Sequence, residues 1–255
     1  SLICASVVSK KIASGATSIV LDVKFGSGAF IKTPEKAREL ADLMIKTGKL
    51  LNRNIDVVIS SMEQPLGYNI GNSLEVIESI EFLKGFYSDD LYQVTLALAI
   101  KTLLNCKLAQ NEKVAKEMVD DVIKNGSALN KLKEIIIAQG GNPDVINDYS
   151  LFKIGKNVIE VNALTTGFVS NLTALDVAHA AKLLGAGRDK KSDKINFGAG
   201  IILKKKIGDC VKSGDTIMEL YYDEVDKNKL DDAVRIARDS FKIVKSHVKV
   251  PKLIY

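Results

Sequence analysis

The sequence predicts a mixed α/β fold: a parallel-sheet lobe with helices, followed by a smaller α+β C-terminal module. Three observations predict it. Two short apolar runs rich in β-branched residues, 17–23 and 55–59, flank a helical stretch, the strand–helix–strand order of a parallel sheet with a crossover helix. Helical patterns then follow one another from 72 to 139, broken near Gly85, Asn111 and Gly126. From about residue 151 the runs become brief and β-rich, which marks a change of architecture.

Taken in order, residues 2–14 read as a helix that stops at Gly15, a residue suited to the left-handed position after a helix. The apolar run 17–23 leads into a glycine-rich loop, 24–30, and then Thr33, Pro34 and Glu35 form a cap with proline at the first helical position. The helix from about 35 to 51 has apolar residues at Leu40, Leu43, Met44, Leu50 and Leu51. After the helices of 72–139 comes a turn at 140–143, with short strands at 158–161, 167–172, 200–204 and 216–222. Helices near 174–184 and 227–241 interrupt them. The predicted division is a helix at 1–14, an α/β domain at 15–150 and an α+β domain at 151–255.

The 255 residues carry 46% hydrophobic and 26% charged residues and a formal net charge of +5, a globular composition large enough for a sizeable core. No apolar run approaches the roughly 18–20 residues of a membrane span. The lysines are dispersed without interleaved aromatics, so nothing points to nucleic acid. Three cysteines without CxxC spacing fit a cytoplasmic location rather than a disulfide framework. Two histidines leave little room for a histidine zinc site. The chain starts without Met and enters helical periodicity at once, as a segment of a longer protein does.

Ile3, Ser6 and Lys10 are spaced i, i+3 and i+7 on the first helix, which puts an apolar group, a hydroxyl and a cation on one face. A pyrimidine needs such a set, since its ring packs on apolar surface while its carbonyls and N3–H seek hydrogen bonds. By spacing alone an ordinary solvated face is the plainer reading, since such triplets are common on exposed helix faces. The sequences of 1–13 and 19–30 resemble the thymidine and pyrimidine-nucleoside phosphorylase family. The likeness continues through Gln64-Pro65-Leu66-Gly67, Gly71-Asn72-Ser73-Leu74-Glu75-Val76, Leu184-Gly185-Ala186-Gly187-Arg188, Gly200-Ile201 and the run 208–215.

That resemblance implies reversible phosphorolysis of a pyrimidine nucleoside to free base and pentose 1-phosphate, with phosphate as co-substrate and no organic cofactor. It assigns Lys10 to a base carbonyl, Ser6 to the ring edge, and Ile3 and Phe30 to positions beside the base. Phe30 in the core of a tight turn is the alternative. It further implies a potassium-like site built from backbone oxygens of Leu66 and Asn69 and the carboxylate of Glu78, against the plainer reading of Glu78 as an exposed helix carboxylate. The family also implies that the first helix belongs to a separate α lobe, with a hinge around residues 14–16, and that the whole enzyme is a homodimer.

Two other readings are kept. One is a related nucleoside or nucleotide phosphorylase, or a phosphoribosyltransferase-like enzyme. The other is a non-catalytic carrier-like or assembly module, because 208–215 has the turn chemistry of biotinyl and lipoyl carrier hairpins. His179 reads as a packed or surface histidine. The family's phosphate-binding motifs, and an arginine that partners the serine and lysine, lie upstream of the matched segment. The isolated chain is therefore expected to be inactive. Phosphate-dependent release of base from uridine by these 255 residues alone would refute that expectation.

Overall fold

The computed structural model describes residues 2–188 and 190–255. Ser1, the first residue of the expected helical segment 1–14, lies outside the described residues. In chain order the elements are α1 (Leu2–Ala13), β1 (Ser18–Phe25), α2 (Pro34–Leu50), β2 (Asn54–Ser61), β3 (Asn69–Ile70) and α3 (Asn72–Leu83). Then come α4 (Asp89–Asn105), α5 (Glu112–Lys124), α6 (Ser127–Ala138), β4 (Asn157–Asn162), β5 (Gly167–Leu172) and α7 (Ala174–Ala181). The last are β6 (Gly200–Leu203), β7 (Cys210–Val211), β8 (Thr216–Tyr222), α8 (Lys227–Asp239) and β9 (Phe241–Val244).

Two compact units form. The first comprises residues up to Met62, Asp89–Asn125 and Lys252–Tyr255; the second comprises Glu63–Ser88 and Gly126–Pro251. These limits differ from the sequence-based division at residue 150. Residues 126–150 belong with α3 and the C-terminal strands, because α6 finds its neighbours in α3 and in the 3-10 turn Pro143–Ile146.

In the first unit β1 and β2 pair in parallel, in register from Ser18 with Asn54 to Phe25 with Ser61. The crossover α2 packs on both strands, as does α4. Thr33 caps α2 by accepting a hydrogen bond from the Lys36 N–H, with Pro34 at the first helical position. The buried stripe of α2 is Ala37, Ala41, Met44 and Gly48. Of the apolar residues noted on this helix, Met44 is buried, whereas Leu43, Leu50 and Leu51 are exposed. The reason is closeness: a Cβ on Gly48 would lie 2.5 Å from the Cγ1 of Ile55, so this face must be small.

The helix α1, expected to belong to a separate lobe, packs here on α2. Its Cys4 and Val8 join the core of Ile19, Leu21, Val23, Phe25 and Met44, with the Cys4 Sγ 3.6 Å from Thr47 Oγ1. Gly15, at φ +82, ends α1. The Ala16 N–H donates to Lys11 O and the Gly15 N–H to Ile12 O, which satisfies carbonyls that the helix end would otherwise leave open.

The free side of β2 is closed by the C-terminal residues. Ser61 donates its N–H to Leu253 O and Tyr255 to Ile59 O, and the Tyr255 ring meets Phe25 edge-on at 4.8 Å between centroids.

The second unit is antiparallel, with one sheet ordered β3-β6-β8-β4 and another ordered β7-β5-β9. Val161, Leu172, Val177, Leu184, Ile201, Met218 and Leu220 form its core with α7 and α8. Two turns repeat one device: Lys206 and Lys212 donate their N–H groups to the carboxylates of Asp209 and Asp215. Each turn has a left-handed glycine, Gly208 or Gly214, just before the aspartate. Strand β9 replaces the end of the helix expected to reach 241, since α8 stops at Asp239.

Candidate functional site

Ile3, Ser6 and Lys10 lie on the exposed side of α1, opposite the buried Cys4 and Val8. The helix thus divides its labour by face. Lys10 also stands in the last turn of α1, where the helix dipole favours a cation, so its position has a local reason besides any ligand.

The glycine-rich loop leaves β1 and is pinned at both sides. Gly26 donates its N–H to Ile31 O, and Gly28 donates to Met62 O, while Met62 donates to Phe25 O. The loop is therefore a tight strand-to-helix turn, but Phe30 is not in the core. It is 96% exposed, at the tip of an anchored loop within the same unit as α1.

At the carboxyl end of β1 a polar cluster forms that sequence reading did not single out. Lys24 Nζ donates to Asp22 Oδ2 at 2.6 Å and to Ser60 Oγ at 2.9 Å. The Ser60 hydroxyl donates to Asp22 Oδ1 at 2.6 Å. Asp22 and Lys24 stand two apart in the strand and so share a face. Their spacing was visible; the parallel register that sets Ser60 opposite Lys24 was not.

In the second unit the loop before α3 folds over Glu78. The carboxylate accepts the Tyr68 N–H at 2.7 Å and the Asn69 N–H at 3.2 Å, and the Asn69 side chain donates to Leu74 O. Leu66, Asn69 and Glu78 are all partly buried, so Glu78 is not the plain exposed carboxylate of the alternative reading. For a cation the donor set fits in part. Glu78 supplies charge and hard oxygen donors of the kind such a cation takes. Among the described residues there is no cluster of three or more His, Cys, Asp or Glu side chains that could hold a metal, so most ligands would have to be backbone carbonyls.

The other family-like motifs have structural roles. Gln64 Oε1 accepts the Ile207 N–H, and the buried Lys206 ammonium donates to Pro65 O. A Cβ on Gly200 would lie 2.3 Å from Ile70 O, so β3 and β6 approach only through glycine. Gly187 and Arg188 line a cavity of about 350 Å³ with Asn72, Glu75 and Lys182. His179 is exposed on α7. All three cysteines are free thiols, and among the described residues no helix is long and apolar enough to cross a membrane.

An α/β crossover unit followed by an antiparallel module defines a class, and comparison places the chain in it. Residues 2–129 match the family model described as the glycosyl transferase family, a/b domain, and residues 168–244 match the pyrimidine nucleoside phosphorylase C-terminal domain. The chain belongs to the glycosyl transferase family, whose a/b-domain model matches half of it. Over 254 residues it is 42% identical to the pyrimidine-nucleoside phosphorylase of Bacillus subtilis (strain 168) and 40% identical to that of Geobacillus stearothermophilus. It is 39% identical to that of Staphylococcus haemolyticus (strain JCSC1435). In each case all of this chain is covered, and it spans 58% of the relative's length.

The division of α1 by face predicts how substitutions separate. Val8→Ala should cost about 2 kcal/mol of stability by emptying a buried site. Ser6→Ala and Phe30→Ala should stay within about 0.5 kcal/mol, as exposed positions do. Denaturant unfolding of the three variants checks this, and a large loss at Ser6 or Phe30 would show that their exposure is misread.

Proposed function

We propose that the protein to which this chain belongs catalyses reversible, phosphate-dependent cleavage of uridine, thymidine or deoxyuridine. The products are free base and a ribose or deoxyribose 1-phosphate. The observation that carries this reading is the outward face of α1, where Ile3, Ser6 and Lys10 stand clear of the core in a chain 42% identical to a pyrimidine-nucleoside phosphorylase. The chain is the base-binding part of a whole enzyme that is a cytoplasmic homodimer.

The chemistry is dictated by the leaving group. As the glycosidic bond lengthens, the sugar gains oxocarbenium character and negative charge gathers on the pyrimidine carbonyls and ring nitrogens. Lys10 places a cation at a carbonyl, Ser6 hydrogen-bonds the ring edge, and Ile3 packs on the ring with Phe30 from the loop. A fixed charge acting where charge develops stabilises the transition state more than the ground state, typically by about 3 kcal/mol per donor. A potassium ion held by Glu78 and by the Leu66 and Asn69 carbonyls has another role. It stiffens the loop before α3, which Glu78 already holds, and Glu78 is the one charged ligand.

In the full-length enzyme Lys10→Ala should lower turnover of uridine by about a hundredfold or more, with a far smaller change in stability. A loss under about tenfold in steady-state assays would remove Lys10 from leaving-group stabilisation. Glu78→Gln should abolish any gain in activity or melting temperature on exchanging sodium for potassium. A full potassium response in that variant would refute the site.

A further inference from the structure

The cluster of Asp22, Lys24 and Ser60 has a chemistry that the base-binding face does not use. Ser60 is fully buried, whereas the Asp22 and Lys24 side chains keep 19% and 24% of their surface exposed. The serine thus anchors the pair from below, and the charged groups reach the surface. An ammonium has three hydrogens; two point to Asp22 and Ser60. Among the described residues no protein group takes the third. The carboxylate, which can accept at about four lone-pair positions, receives one bond on each oxygen. What faces outward is a donor beside an acceptor, both on β1 and both held in place.

That pairing selects its ligand. An anion would gain from Lys24 and lose to Asp22, and a cation the reverse. A hydroxyl group is donor and acceptor at once, so it satisfies both partners without disturbing their charge balance. The location agrees: ligands of α/β sheets bind beyond the carboxyl ends of the strands, and the glycine-rich loop begins at Lys24 itself. We infer that Asp22 and Lys24, held by Ser60, bind a hydroxyl of the nucleoside's pentose and thereby set sugar specificity. This rests on the pyrimidine-nucleoside reading given above.

The test crosses protein groups with substrate groups. The full-length enzyme, unsubstituted and as Lys24→Met, Asp22→Asn and Ser60→Ala, is assayed at saturating phosphate. The substrates are uridine and its 2′-deoxy, 3′-deoxy and 5′-deoxy analogues. For the unsubstituted enzyme, one analogue should lose about tenfold or more in kcat/KM, the usual size for a polar site left unpaired. Lys24→Met and Asp22→Asn should lose a similar factor with uridine and show almost no further loss with that one analogue. Ser60→Ala should show the same pattern more weakly. Equal losses on all four substrates would mean a merely structural cluster and overturn the inference, whichever variant folds well enough to be read. No loss with any analogue in the unsubstituted enzyme would overturn it too. An unsubstituted enzyme that cleaves none of the four would instead refute the functional reading beneath it.

Discussion

Parallel pairing of β1 with β2, from Ser18 opposite Asn54 to Phe25 opposite Ser61, is the constraint on which the first unit depends. It alternates Ile19, Leu21, Val23 and Phe25 into the core and leaves Asp22 and Lys24 on the other face. It places the buried Ser60 beside them and fixes where the glycine-rich loop can be tied to Met62. A slip by one residue would turn every side chain of β1 to the opposite face. Lys24 would then enter the apolar side without partners, at the cost of burying an unpaired charge. The register is thus protected from both faces.

Much of this architecture was legible because its signals are local. The breaks between α3, α4, α5 and α6 fall near Gly85, Asn111 and Gly126, and each has a cause in its own residue. Asn111 caps α5 by accepting the Val114 N–H, while Gly85 and Gly126 take positive φ. The short strands β3 and β7 were not legible, since two residues carry no periodicity and their pairing is set by distant partners. The core face of α2 was not legible either, for a related reason. Leu43, Leu50 and Leu51 are exposed while Ala37, Ala41 and Gly48 face the sheet, because backbone proximity outweighs side-chain hydrophobicity where a helix lies close on strands.

The site divides in the same way. Ser6 and Lys10 could be placed on one helical face from spacing, and the structure puts them on the exposed face. What they contact is a matter of chemistry that spacing does not contain. The cluster at Asp22 needed both a strand alternation, which the sequence displays, and a register across thirty-odd residues, which it does not. Ser60 sits among Ile59, Ser61 and Met62 with nothing local to distinguish it from its neighbour Ser61.

Glu78 shows how a residue can carry a structural duty and still be open to a functional one. Gly67 takes φ +70, and a Cβ there would fall 2.5 Å from Glu78 Oε2. The glycine therefore makes room for the carboxylate, which in turn collects the N–H groups of Tyr68 and Asn69. Hydrogen bonds to a charged acceptor contribute about 1.5–3 kcal/mol each, sufficient to hold a short loop in one conformation. The loop's shape is consequently set by the chain's own carboxylate before any ion is considered. A bound potassium ion would act on a loop already formed, drawing on the carboxylate's charge and on backbone carbonyls of the same segment. Its effect would then be to stiffen the stretch that leads into α3, not to create it.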